Sequence, residues 1–209
     1  MPIVKPTSLF EKQAMSQGYR LIAGIDEVGR GSWAGPIMAA AVILKPKARL
    51  PDLRDSKMLD EKRREKLYDL IVANSVAWAV GSCDVPLIDS VGIGQANRLS
   101  MEYAVTGLTV KPDFLLIDAF KLPNLGIPFQ AIIKGDAKVR SIAAASIIAK
   151  VTRDRLMRQM DTQFPGYGFA DHKGYGTPAH QRQIAQLGLC AIHRKSFLPI
   201  SLMRQTKLI

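Results

Sequence analysis

Apolar positions along the chain fall into short runs that alternate with longer stretches of helical spacing. Leu21 to Asp26 (LIAGID) is a brief apolar run ending in an acid. After a glycine-rich turn from Val28 to Pro36 comes Ile37 to Leu44 (IMAAAVIL), with no polar residue. Two such runs separated by glycines predict paired strands, the second buried on both faces. Asp60 to Asn74 predicts a helix with Asp60 as N-cap, charged early and apolar late. Val76 to Cys83 predicts a third strand, and Ile93 to Thr109, with Ala96, Leu99, Tyr103 and Ala104 at helical spacing, a second helix. Two further strands are predicted at Asp113 to Asp118 (DFLLID) and Phe129 to Lys134 (FQAIIK). Asp136 then precedes one long helix over about residues 137–163, stopped by Pro165 and Gly166. Thr177 and Pro178 have the form of an N-cap and first helical residue, and Gly188 stands where a helix C-terminal glycine belongs.

Strands come first, then strands alternating with helices. That order predicts an α/β layer with a mixed sheet, the opening pair antiparallel and the later strands reached by helical crossovers. No repeat, low-complexity segment or Pro/Gly/Ser linker divides the 209 residues, so one domain is expected, its part from about residue 165 onward helical and basic. The longest uncharged apolar candidate for a membrane span, Ser141 to Ala149 between Arg140 and Lys150, is far shorter than the roughly 18 residues required. Met1 to Phe10 lacks the apolar core and cleavage site of a secretory signal. Cys83 and Cys190 are the two cysteines and form no CxxC, so neither a disulfide framework nor a zinc site is expected, and a reducing cytoplasm is.

Charge changes the picture more. The formal net charge is +11, and it is uneven: residues 1–136 carry 17 Lys/Arg against 15 Asp/Glu, residues 137–209 carry 12 against 3. A basic stretch beside a balanced one is either the footprint of a polyanion or a solvated surface that maintains solubility.

Asp26 and Asp118 each close an apolar strand, Glu27 follows Asp26, and Asp136 stands at a helix start. In open α/β sheets, sites form outside the carboxyl ends of strands. Several carboxylates gathered there repel one another unless a divalent cation neutralises them, and an oxygen-only ligand set suits Mg²⁺ or Mn²⁺ rather than zinc. Two such ions are able to activate a water and stabilise a leaving oxygen in phosphodiester cleavage. Each acid also has a plainer reading, since Asp after a strand forms turns and Asp before a helix caps it. Gly29-Arg30-Gly31, directly after the first two acids, is either a simple turn or a loop whose backbone groups reach a substrate at the metal site. A 2′-hydroxyl both donates and accepts, so such a contact would tell ribose from deoxyribose.

The combination of GIDEVGRG (24–31), LLIDA (115–119), IIKGDAK (132–138), SIAAASIIAKVTRDR (141–155) and HKGYGT (172–177) resembles bacterial ribonuclease HII, with AGP (34–36), DSKML (55–59) and HRKSFLP (193–199) as further pieces in the same order. The resemblance implies an RNase H-like fold, a mixed five-stranded sheet flanked by helices with a helical C-terminal part. It implies four metal-associated carboxylates, Asp26, Glu27, Asp118 and Asp136, binding Mn²⁺ or Mg²⁺. It implies hydrolysis of the RNA strand of RNA–DNA hybrids and incision 5′ to ribonucleotides embedded in duplex DNA, leaving a 3′-hydroxyl and a 5′-phosphate. It also implies contact of Gly29, Arg30 and Gly31 with the ribose 2′-hydroxyl, stacking of Tyr175 on the neighbouring deoxyribose, and phosphate contacts from Ser56 and Lys57. The chain is expected to act as a monomer.

Asp154, mid-helix between Arg153 and Arg155, reads as an ordinary surface charge, and His172, His180 and His193 show no metal-ligand spacing with the cysteines. Three positions depart from the family pattern: Ser32-Trp33 replaces Pro-Leu, Met58 replaces a second lysine, and Ala119 replaces glycine. The last is expected to be tolerated if the backbone there has negative φ. The rival readings are another carboxylate nuclease of the same broad fold, such as a resolvase or type 1 ribonuclease H, and a non-catalytic nucleic-acid-binding module.

Overall fold

A computed structural model describes residues 5–205; Met1 to Val4, the start of the segment weighed above as a signal, lie outside the described residues. In chain order the elements are α1 (Leu9–Ser16), β1 (Ile22–Val28), β2 (Ile37–Leu44), α2 (Glu61–Ala73), β3 (Ser75–Cys83), α3 (Val85–Val91), α4 (Ile93–Thr106), β4 (Phe114–Asp118), β5 (Phe129–Ile132), α5 (Gly135–Lys138), α6 (Arg140–Gln163), α7 (Phe169–His172), α8 (Pro178–Leu187) and α9 (Leu198–Gln205). The sheet runs β3-β2-β1-β4-β5. β1 pairs antiparallel with β2, and β2 with β3, whereas β1–β4 and β4–β5 are parallel. This is the expected mixed five-stranded sheet. The parallel register aligns Ile25 with Ile117, so Asp26 and Asp118, each one residue further on, emerge at the same edge.

Alternation along β2 divides the core. Ala40 and Val42 face a layer built by α2 and α6, with Leu67, Ile71, Ala143, Ala144 and Ile147. Ala39, Ala41 and Ile43 face the other layer, with Met101, Ala104, Leu115 and Ile117. Each large side chain buried this way contributes about 1.5–3 kcal/mol. Small residues let α6 lie close against the strands: a Cβ at Gly24 would sit 2.1 Å from the Ser141 carbonyl carbon. That contact matters for function, because α6 delivers Ser146, Lys150 and Arg153 to the sheet edge where Asp26 emerges.

Local signals set several ends. Asp60 accepts from the Arg63 amide, and Thr177 accepts from the His180 amide ahead of Pro178. Gly188 closes α8 at φ +77°. The long helix over residues 137–163 is a correction: it is broken at Val139, which is extended at φ −117°. The chain start causes the break. Thr7 pairs with Val139 as an isolated bridge, its amide donating to the Lys138 carbonyl and its carbonyl accepting from Arg140. Asp136 therefore sits in short α5 and does not cap α6. Instead Glu11, on α1, accepts from the Ser141 amide at 2.9 Å. The helix expected over Ile93 to Thr109 ends at Thr106, and α1 and α3 formed no part of the sequence expectation.

Candidate active site

Three of the four singled-out acids converge. Each of Asp26, Asp118 and Asp136 offers a carboxylate oxygen within 4.8 Å of the others. Asp26 ends the buried part of β1 and accepts from the Glu27 amide at 2.8 Å. Asp118 ends β4 and accepts from the Gly135 amide at 2.7 Å, which fixes α5, and with it Asp136, against the strand end. Glu27 lies outside that three-way group but lines a cleft together with Asp26. Burial pushes the Asp26 carboxyl well above its ordinary range, and the charges of Glu27, Asp118 and Asp136 push it further. Burial, then Asp118, raises Glu27; burial, then Asp136, raises Asp118. Carboxyls that oppose one another's ionisation in an all-oxygen cluster fit a hard divalent cation, which offsets the repulsion directly.

The loop from Asp55 forms one wall. Lys57, 77% exposed at its side chain, reaches Asp136 at 3.4 Å. Ser56 is buried, and its hydroxyl is 2.8 Å from that of Ser146 on α6, which in turn hydrogen-bonds Asp26. Arg64 donates to the carbonyls of Ser56 and Leu59 and lies 3.7 Å from Asp154. Asp154 also accepts from Lys150, which lines the cleft, at 2.7 Å. At 3% exposure Asp154 is thus no surface charge, which corrects the sequence expectation. Helical position between two arginines says nothing of α2, which supplies Arg64.

Gly29, Arg30 and Gly31 form the opposite wall, with Arg30 and Gly31 exposed. Gly29 sits at φ +83°, and a Cβ there would meet the Arg153 Nε at 2.3 Å. Ser32 is buried, and its hydroxyl has no hydrogen-bond partner among the described residues. Trp33 is pinned through both backbone groups, its amide donating to the Gly174 carbonyl at 2.8 Å and its carbonyl accepting from Arg194. Its ring fills the space beside Gly176. Tyr175, 36% exposed, faces the same cleft, whose volume is about 210 Å³. Ala119, by contrast, has φ +46°. The condition for easy replacement of glycine is therefore not met, and the alanine is strained.

Sequence spacing also missed a histidine network under the Tyr175 loop. The His180 Nδ1 lies 3.0 Å from the Tyr175 carbonyl and so carries the proton that donates to it. Its bare Nε2 accepts from the His193 Nε2 at 3.0 Å. The bare Nδ1 of His193 then accepts from the Cys190 amide at 2.9 Å. His172 donates through Nε2 to the Tyr167 carbonyl and accepts at Nδ1 from Gly174. One neutral tautomer per ring satisfies each of these bonds and leaves the 3.3 Å contact between the His193 Nδ1 and the Cys190 carbonyl without a proton. Burial lowers both His180 and His193 to about 4, reinforced by the neighbouring His172 ring. These nitrogens are occupied by protein partners, and the only signal for the arrangement is the HxGYG-x₃-H spacing itself.

The basic C-terminal stretch is less free than its charge implies. Arg153 and Arg194 are fully buried, Lys150 is paired with Asp154, and Arg155 and Arg158 are paired with Glu61 and Glu65 across the α2–α6 contact.

A model of the family described as Ribonuclease HII matches residues 23–199. A ribonuclease HII of Geotalea uraniireducens (strain Rf4) is 55% identical over 188 residues, 90% of this chain and 87% of that one. A ribonuclease HII of Dehalococcoides mccartyi (strain ATCC BAA-2100) is 49% identical over 201 residues, 95% of each. The crystal structure of ribonuclease H2 from Pyrococcus horikoshii OT3 matches with a TM-score of 0.78 at 26% identity, covering 90% of this chain and 98% of that one. Sheet order, clustered acids and relatives that match nearly end to end agree: the chain belongs to the ribonuclease HII family, and it is a hydrolase of the RNase H endonuclease type.

Proposed function

We propose that this endonuclease cuts the RNA strand of RNA–DNA hybrids and incises duplex DNA on the 5′ side of an embedded ribonucleotide, leaving a 3′-hydroxyl and a 5′-phosphate. The observation that carries this reading is one cleft lined by Asp26, Glu27, the Gly29–Gly31 loop and Tyr175, with Asp118 and Asp136 clustered on Asp26. Asp26, Asp118 and Asp136, with Glu27 beside them, would hold Mg²⁺ or Mn²⁺. Such ions, when bound, supply an activated water and charge compensation for a leaving 3′-oxygen.

The remaining work falls to the chain's own groups. The exposed residues Arg30 and Gly31 would offer backbone groups to a 2′-hydroxyl, which accepts and donates where deoxyribose does neither. The Tyr175 ring offers an apolar face to the adjoining sugar, and a 2′-hydroxyl pressed against it would be left unpaired, which favours deoxyribose there. Lys57 is free to swing from Asp136 to a phosphate once a cation takes over that carboxylate. Ser56 acts from beneath, through Ser146, with its phosphate contact made by backbone. Among the described residues no helix is long and apolar enough to cross a membrane; the protein is proposed to work as a monomer in a reducing compartment, where its two free cysteines stay reduced.

A duplex carrying a single ribonucleotide, incubated with Mg²⁺ or Mn²⁺, tests the proposal. Incision 5′ to that ribonucleotide is expected, with Asp26→Asn abolishing it while binding persists. Cleavage confined to runs of several ribonucleotides would sink the reading and favour a type 1 activity. Binding of hybrids without cleavage under any divalent ion would favour a non-catalytic module.

A further inference from the structure

Two fully buried arginines, Arg153 and Arg194, stand directly behind the cleft, and among the described residues neither forms an ion pair with a carboxylate. Arg153, on α6, donates through Nε to the Pro36 carbonyl at 3.0 Å, through Nη1 to Lys173 at 2.8 Å and through Nη2 to Ala34 at 3.0 Å. Arg194 donates through Nε to Gly35 at 2.9 Å and through Nη1 to Arg30 at 3.1 Å. Every one of these acceptors is a backbone carbonyl of the segment that follows β1 or of the segment that carries Tyr175. We propose that Arg153 and Arg194 are positioning residues, Arg194 tying the Gly29–Gly31 loop to Gly35 and Arg153 clamping that segment to the Tyr175 loop, and that recognition of a ribose followed by a deoxyribose depends on this clamp. The inference rests on the proposed reading of the cleft and deepens it.

The chemistry explains why arginine serves here. Burying a guanidinium is unfavourable, and a core built only for stability would be filled as well by an apolar side chain of similar volume. A guanidinium instead has a rigid planar fork of donors, so the carbonyls it binds must converge on one plane: three for Arg153 and two for Arg194, whose Nη2 has no partner among the described residues. Arg153 thereby sets the distance between Ala34, on one loop, and Lys173, two residues before Tyr175. Its guanidinium also lies 5.7 Å from the centre of the Tyr175 ring. Arg194 fixes the carbonyl of Arg30, the middle residue of the opposing loop. The Trp33 and Ala34 amides add bonds to the Gly174 carbonyl, at 2.8 and 3.2 Å. The two readers of the substrate are thus held against each other by Arg153, rooted in α6, the helix that also carries Ser146 and Lys150, and by Arg194, from the segment between α8 and α9. A misplacement near 1 Å at such a site costs roughly a hundredfold in rate.

The test measures kcat/KM with Mn²⁺ on two duplexes, one holding a single ribonucleotide and one a uniform RNA–DNA hybrid, whose sugar steps at the cut lack the junction. Arg153→Met and Arg194→Met keep side-chain volume but not the fork; Arg153→Lys and Arg194→Lys keep charge and serve should either methionine variant fail to fold, which thermal unfolding reports. The expected result is a fall of about tenfold or more in the single-ribonucleotide to hybrid ratio, carried by kcat. A further arm combines Arg153→Met with Tyr175→Ala. If Arg153 acts through the Tyr175 loop, the double variant's ratio matches that of Tyr175→Ala alone. Folded variants of either kind that lose stability but keep the wild-type ratio would overturn the clamp and leave the proposed function standing. A wild-type protein that fails to incise the single-ribonucleotide duplex would remove the proposed function, and the clamp with it.

Discussion

Two single residues show how local rules and surroundings contend. Ala119 follows Asp118 in left-handed backbone, at φ +46°, where a Cβ costs about 1 kcal/mol. Ala119→Gly should recover on the order of 1 kcal/mol, less the entropy glycine adds to the unfolded chain, and raise the thermal midpoint by a few degrees. An unchanged or lowered midpoint would mean that Asp118 needs the stiffer alanine. Asp154 presents the opposite case. Buried between Lys150 and Arg64, it balances two cations that α6 and α2 bring together. Asp154→Ala leaves them uncompensated and should cost about 3 kcal/mol in urea unfolding. It should also slow cleavage, since Arg64 supports the Ser56 carbonyl at 3.2 Å. No pattern of helical residues foretells this, because a buried charge differs from a solvated one only through its neighbours.

At the scale of elements, the strands were legible because short apolar runs ended in charged residues, and the helix caps because Asp60 and Thr177 act within three residues of themselves. The division between α5 and α6 was not, since Thr7 imposes it from the far end of the chain. The start of α6 is likewise held by Glu11, so Glu11→Ala should destabilise the protein by about 1 kcal/mol in thermal unfolding, the usual value of a lost N-terminal cap. The helical C-terminal part depends instead on histidines. His180 and His193 titrate near 4 in the fold, below their unfolded value near 6.5. The unfolded chain therefore binds more protons between those values, and stability present above pH 6.5 is lost as pH falls toward 4. Each histidine should contribute a slope of about 1.4 kcal/mol per pH unit over much of that window, and His193→Asn should remove one of the two contributions from the pH dependence of the urea midpoint. Equal slopes in both proteins would show that His193 remains protonatable in the fold.

For the whole molecule, a net charge of +11 pointed to a polyanionic partner without locating it. Of the twelve C-terminal cations, Lys150, Arg153, Arg155, Arg158 and Arg194 are engaged inside the protein, so substrate affinity rests on fewer free charges than the sum implies. KM for a hybrid should still rise about tenfold between 50 and 200 mM salt, less steeply than for a protein that neutralises six to ten phosphates. A flat dependence would mean that the basic surface only keeps the protein in solution. What the sequence determined by itself was the order of strands and helices and the placing of Asp26 and Asp118 at strand ends, because period and punctuation act over a few residues. The resemblance to a known family added the substrate. Tertiary structure alone decided that Asp136 meets those two acids within 4.8 Å, and that Arg153, Asp154 and Arg194 turn inward. Periodicity records which side of an element avoids water; which element covers that side is settled by packing between segments far apart in the sequence.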